Sequence, residues 1–156
     1  MRRRTRSRVM TSVAMAALLA VLGGWLLGAG AAQASSAYHL DIDVGEQVLS
    51  EVVDGQVAAS YHISSGSGED YWFEGAVWDG ETPRGWFEIY AKEPGWVEGP
   101  LGGLYNPMYF TGGFAIHGSG SVPDYPASHG CVRVSLGDAD WLYARVGIGT
   151  PVHVHD

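Results

Sequence analysis

Alternation of apolar and polar side chains begins at Tyr38. Leu40, Ile42 and Val44 fall on one face and His39, Asp41 and Asp43 on the other, the period-two pattern of a half-buried strand. A second run, Val48 to Val53, ends at Asp54-Gly55, and Val57, Ala59, Tyr61 and Ile63 alternate beyond it, so the pattern predicts a hairpin closed by a tight turn. Ser64 to Gly68 reads as a small polar loop. The aromatic stretch Tyr71 to Trp78 reads as a strand or an extended flap, punctuated by Asp79-Gly80. Thr82-Pro83-Arg84-Gly85 then feeds a strand with Phe87 and Ile89 facing one way and Trp86, Glu88 and Tyr90 the other. Pro94 to Gly103 is too rich in Gly and Pro to predict regular structure. Phe114 to His117 is a short apolar strand whose last residue is its first polar side chain.

Near the C-terminus Ser135 stands three residues before Asp138, ahead of Ala139 to Val146 and a following Gly147, start and stop signals for one short helix. Thr150 to His155 alternates as a closing strand, with His153 and His155 on one face. The expectation is one mostly-β, sandwich-like domain with a single short C-terminal helix.

Composition narrows this picture. A chain of 156 residues with 46 % hydrophobic content has room for one core, and 23 glycines with a 12 % aromatic share favour a turn-rich, strand-dominated body. Five Arg within the first eight residues precede an apolar run from Val9 to about Ala32 that ends in Ala32-Gln33-Ala34. That order predicts a signal peptide over residues 1–34 and a catalytic body over 35–156. The apolar run nearly suffices to span a bilayer, so an uncleaved N-terminal membrane anchor is the alternative; in both cases the body is secreted or otherwise extracytoplasmic. Without residues 1–34 the chain keeps four basic against 17 acidic residues, a net charge of −13. Such a surface disfavours nucleic acid and anionic lipid as partners.

The chain has one cysteine, so an intramolecular disulfide is excluded and the thiol is either a small buried hydrophobe or a reactive group. Ser128-His129-Gly130-Cys131-Val132-Arg133 lies where a loop enters an apolar strand, and Gly130 allows main-chain amides to turn toward a common point. A thiol with an ordinary pKa near 8.5 needs a base or a positive neighbour to act as a nucleophile. His117, His129 and Arg133 are the candidates. Strands about 5 Å apart can bring a residue ending one against a residue starting the next, which favours His117 as the base and leaves His129 to support the loop. Structural readings stand beside these: a histidine ending an apolar strand more often makes a plain hydrogen bond, and Arg133 can serve as a salt-bridged surface charge. A zinc site from His117, His129 and Cys131 lacks any recognised ligand spacing, so neither metal nor cofactor is expected.

The runs Phe114-Ala115-Ile116-His117-Gly118 and Pro126-Ala127-Ser128-His129-Gly130-Cys131-Val132-Arg133-Val134 resemble the signature of the L,D-transpeptidase catalytic domain (YkuD-like) family. Thr82-Pro83-Arg84-Gly85-Trp86-Phe87 matches its upstream Thr-Pro-x-Gly-x-Phe element, and the likeness covers residues 38 to 155. The resemblance implies a β-sandwich-like catalytic domain whose partners are peptidoglycan stem peptides, with Cys131 as nucleophile and His117 as general base. It further implies that the Gly118 carbonyl holds the imidazole and that amides around His129, Gly130 and Cys131, in the loop begun by Ser128, form an oxyanion hole. Arg133 takes a substrate-recognition position. The implied chemistry is acyl transfer through a thioester that forms 3→3 cross-links in cell wall biogenesis and cell shape. An L,D-carboxypeptidase and a non-catalytic wall-binding module are the rivals. The interval between His117 and Cys131 is short for the family, suggesting a trimmed loop over the site, and a monomer is expected.

Overall fold

A computed structural model describes residues 37–156; the expected signal peptide or anchor, residues 1–34, lies outside the described residues. The predicted hairpin forms as β1 (Tyr38–Asp43), β2 (Val48–Val53) and β3 (Gln56–His62), antiparallel in turn. Asp54 and Gly55 both take positive φ, 51° and 77°, as a tight turn matched to strand twist requires. A flap follows as a two-stranded hairpin, β4 (Tyr71–Phe73) and β5 (Ala76–Trp78). Then come β6 (Gly85–Glu88), β7 (Ala91–Lys92), β8 (Trp96–Gly99), β9 (Gly102–Thr111), β10 (Phe114–Gly118) and β11 (Val132–Val134). Helix α1 (Leu136–Arg145) and β12 (Pro151–His155) close the chain.

Two five-stranded sheets result. One has the order β3-β2-β1-β12-β6, the other β11-β10-β9-β7 with β8 on β9. Their facing sides bury Leu40, Ile42, Leu49, Val152 and Val154 against Met108, Phe110, Ile116, Val132 and Val134, and α1 adds Ala139 and Leu142 to this core. The fold is the mostly-β, sandwich-like arrangement with one short helix that the alternating pattern predicts. Among the described residues no helix is long and apolar enough to cross a membrane.

One expectation is corrected in detail. Pro94 to Gly103 is not irregular: Trp96 pairs with Tyr105 and Val97 with Leu104, giving a hairpin. The glycines there serve close approach, since a Cβ on Gly99 would stand 2.5 Å from Leu104 Cδ1. The helix begins at Leu136, directly after Ser135, whose Oγ accepts the Asp138 amide at 3.1 Å as an N-cap, the start that the Ser135–Asp138 spacing predicts.

Candidate active site

The parallel pairing of β10 with β11 sets the site. Ile116 stands opposite Val132, both fully buried in the core, and His117 stands opposite Arg133. Side chains alternate across a strand, so the face away from Ile116 and Val132 carries His117 on β10, with Arg133 on β11 and Cys131 two positions before it. All three line one cleft of about 370 Å³. Tyr71, Phe73 and Trp78 of the flap and the β8–β9 turn, Gly99 to Leu104, also line it.

The loop before Cys131 is sewn to the segment after β3. Ser64 and Arg133 exchange both main-chain hydrogen bonds, at 2.9 and 3.0 Å, and Ser67 N donates to Ser128 O at 2.9 Å. Ala127 N and Ser128 N both donate to Ser65 O. Ser65 is itself held by buried Gln47, whose Oε1 accepts the Ser65 amide at 2.9 Å while its Nε2 donates to Ser65 Oγ at 2.8 Å. Thr82, 1 % exposed, ties the two segments a second time: its Oγ1 accepts the Gly66 amide at 2.8 Å and donates to the Gly130 carbonyl at 3.0 Å. The sequence marks Thr82 only as part of the Thr-Pro turn element and gives Gln47 no part. The Thr-Pro element was the one signal that pointed to the first, and nothing in the pattern pointed to the second.

Within the loop, Ser128 Oγ accepts the Gly130 amide at 3.0 Å and donates to the Cys131 carbonyl. The Gly130 amide is thereby engaged, and Ser128, His129 and Cys131 line the cleft whereas Gly130 does not. The turn at Gly130 has φ +110° and brings the Phe114 ring so close that a Cβ there would stand 2.2 Å from Cε1. His129 is exposed, and its ring meets Tyr71 edge-on with centroids 4.7 Å apart, linking the loop to the flap.

His117 is 6 % exposed and its Nδ1 lies 3.0 Å from the Gly118 carbonyl oxygen. A carbonyl only accepts, so Nδ1 carries the proton and Nε2 keeps its lone pair. Burial pushes the imidazole pKa down, the Gly118 bond raises it and the Arg133 charge lowers it, with a net depression that keeps His117 neutral at pH 7. Burial pushes the Cys131 thiol up, while a hydrogen bond with the Ala115 main chain and the Arg133 charge pull it partly back. At rest the thiol and the imidazole are therefore both neutral. Lining one cleft, they offer a proton acceptor at nitrogen and a nucleophile at sulfur, with the Arg133 charge favouring the thiolate.

The model of the L,D-transpeptidase catalytic domain family, YkuD, matches residues 37–154. The chain belongs to this family. Its fold is similar to an L,D-transpeptidase from Xylanimonas cellulosilytica at 42 % identity and a TM-score of 0.74, over 79 % of this chain and 62 % of that one. An L,D-transpeptidase from Mycobacterium smegmatis matches at 26 % identity and a TM-score of 0.63, over 78 % and 59 % of the two chains. The Enterococcus faecium enzyme, solved as a C442S mutant, shares the fold at 24 % identity and a TM-score of 0.60, over 76 % and 50 %. This L,D-transpeptidase-family chain thus spans less than two thirds of the length of those solved relatives. Among curated proteins no sequence matches it.

Proposed function

We propose that this chain is an exported peptidoglycan L,D-transpeptidase in which Cys131 is the nucleophile and His117 the general base. One observation carries the reading: the chain's single thiol, an imidazole whose Nε2 is left open by the Gly118 bond, and a guanidinium line the same cleft. Cys131 Sγ attacks the carbonyl carbon of the third stem residue as His117 Nε2 takes the thiol proton. The tetrahedral intermediate collapses with cleavage of the amide to the terminal D-alanine, whose nitrogen receives that proton, and a thioester remains. A side-chain amine of a neighbouring stem then attacks the thioester, His117 takes its proton, and sulfur leaves, giving a 3→3 cross-link. With the Gly130 amide engaged by Ser128, the developing oxyanion is met by the His129 and Cys131 amides. Arg133 steers the substrate, and residues 1–34 act as the export signal.

Incubation of the purified protein with tetrapeptide muropeptides, followed by mass analysis, tests the reading. Dimers with release of D-alanine are expected. Cys131→Ala abolishes them and His117→Ala lowers the rate by about 10²- to 10⁴-fold. Free tripeptides without dimers would assign an L,D-carboxypeptidase, in which water resolves the thioester. Unchanged turnover in Cys131→Ala would overturn the nucleophile, and no product with any muropeptide would leave a wall-binding module.

A further inference from the structure

The face of the first sheet that points away from the core carries a second set of convergent polar groups. Leu40, Ile42, Val152 and Val154 are buried, so the alternate residues of two adjacent parallel strands stand together outside: Asp41 and Asp43 on β1, His153 and His155 on β12. Register sets Asp41 beside His153, and its carboxylate also reaches His155. Asp41 Oδ2 lies 2.9 Å from His153 Nδ1, and Asp41 Oδ1 lies 2.8 Å from His155 Nε2. The ligating atoms of the three residues all lie within 4.8 Å of one another.

With one proton on each ring the arrangement does not close. His155 Nδ1 lies 2.9 Å from the Asp156 main-chain oxygen, an acceptor only, so Nδ1 holds the ring's proton. Neutral His155 then directs the Nε2 lone pair at a carboxylate oxygen 2.8 Å away, two electron-rich atoms with nothing positive between them. Either a second proton or a cation has to stand there. Donation of the remote ring nitrogen to a carbonyl is also how a ligating imidazole is fixed in orientation and tautomer. Trp86 stacks on His153 with centroids 4.4 Å apart and interplanar angle 14°, and so limits the rotation of that ring. The three side chains keep between 28 % and 34 % exposure, which leaves an ion a path from solvent and a position for water.

We propose that Asp41, His153 and His155 bind a divalent transition-metal ion of the zinc class, outside the cleft of Cys131. Two imidazoles and one carboxylate suit zinc, whereas magnesium and calcium prefer oxygen ligands throughout. A tetrahedral zinc with bonds of about 2.0–2.1 Å sets its ligands about 3.3 Å from one another, so the carboxylate–imidazole separations of 2.9 and 2.8 Å lengthen slightly while the widest, up to 4.8 Å, contracts, a shift that partly exposed side chains on one sheet face can make. The ion would clip β1 to β12, the first and last strands of the described fold, and so act on stability rather than on the acyl-transfer chemistry.

The test uses untagged full-length protein stripped with a chelator. Zinc is titrated against a chromophoric competitor, and thermal unfolding is followed with and without zinc, for the wild type, Cys131→Ala, Asp41→Asn and His153→Gln. One zinc per chain and a raised unfolding temperature are expected in the wild type and equally in Cys131→Ala. Affinity falls by at least tenfold in Asp41→Asn and in His153→Gln, and should one of these fail to fold, the other carries the test. Cobalt as the probe should give the visible bands of a tetrahedral site without thiolate charge transfer. Absence of stoichiometric binding, or binding lost in Cys131→Ala and kept in both strand variants, would overturn the proposal.

Discussion

Thr82 Oγ1 stands between two main chains, accepting from the Gly66 amide at 2.8 Å and donating to the Gly130 carbonyl at 3.0 Å. One hydroxyl thus fixes the distance between the segment after β3 and the loop that presents Cys131. Thr82→Val keeps the shape and removes both bonds, leaving the Gly66 amide without its acceptor. The cost is about 1–3 kcal/mol by equilibrium unfolding. Turnover should fall with it through kcat, since the nucleophile's loop is misplaced, while Thr82→Ser restores both. Equal stability of the Val and Ser variants would show that the hydroxyl carries nothing.

The elements legible in the sequence are those whose information is local. The β2–β3 hairpin is written in alternation on both sides of Asp54-Gly55, and α1 in the spacing of Ser135 and Asp138. The flap turn, Glu74-Gly75, takes similar positive φ values, 49° and 83°, but Glu is a weak turn signal, so the sequence predicts only a strand or an extended flap there. β8 was missed because glycine weighs as a breaker in a sequence, whereas Gly99 and Gly103 accommodate Leu104 and Trp96 across the hairpin. At the site, Cys131, His117 and Arg133 stood out by residue type and position. Gln47 and Thr82 did not, because their part is to hydrogen-bond main chain distant in sequence, a relationship that exists only once the sheets have formed.

Gly130→Ala tests the turn. The added carbon would meet Phe114 Cε1 at 2.2 Å and the Glu81 carbonyl oxygen at 2.9 Å, on a backbone with φ +110°. Destabilisation on the order of 1–3 kcal/mol is expected by thermal or chemical unfolding. Combining it with Phe114→Leu should recover only part of the loss, because the carbonyl contact and the backbone strain remain. Full recovery would assign the whole effect to the ring.

Arg133 lowers both the Cys131 thiol and the His117 imidazole, in each case against or alongside a larger effect of burial. Removing the charge in Arg133→Gln should therefore raise both. The pH dependence of Cys131 alkylation by iodoacetamide reads the first: its midpoint moves upward in the variant, and the rate at neutral pH drops. NMR titration of the His117 ring reads the second, again with an upward move. A midpoint that stays in place for both groups would mean that solvent screens the guanidinium from the pair.

Glu51, on β2 between β1 and β3, gives the fold an acid-sensitive element. It is fully buried, accepting from Tyr38 Oη at 2.8 Å, Tyr61 Oη at 2.5 Å and Arg145 Nε at 3.2 Å. Burial alone would raise its carboxyl, but the three donors outweigh it and hold the pKa below the ordinary 4.5. In acid the unfolded chain takes up this proton before the folded one does, so the contribution of Glu51 is complete above pH 4.5 and is lost as pH falls through the lower folded value. Glu51→Gln turns an amide donor toward groups that donate already, at a cost of about 1–3 kcal/mol near neutrality. The stability gap between wild type and variant should narrow steadily below pH 4.5, measured by denaturant unfolding across the acid range. A gap that stays constant down to the acid transition would mean that the carboxylate's charge contributes nothing beyond its shape.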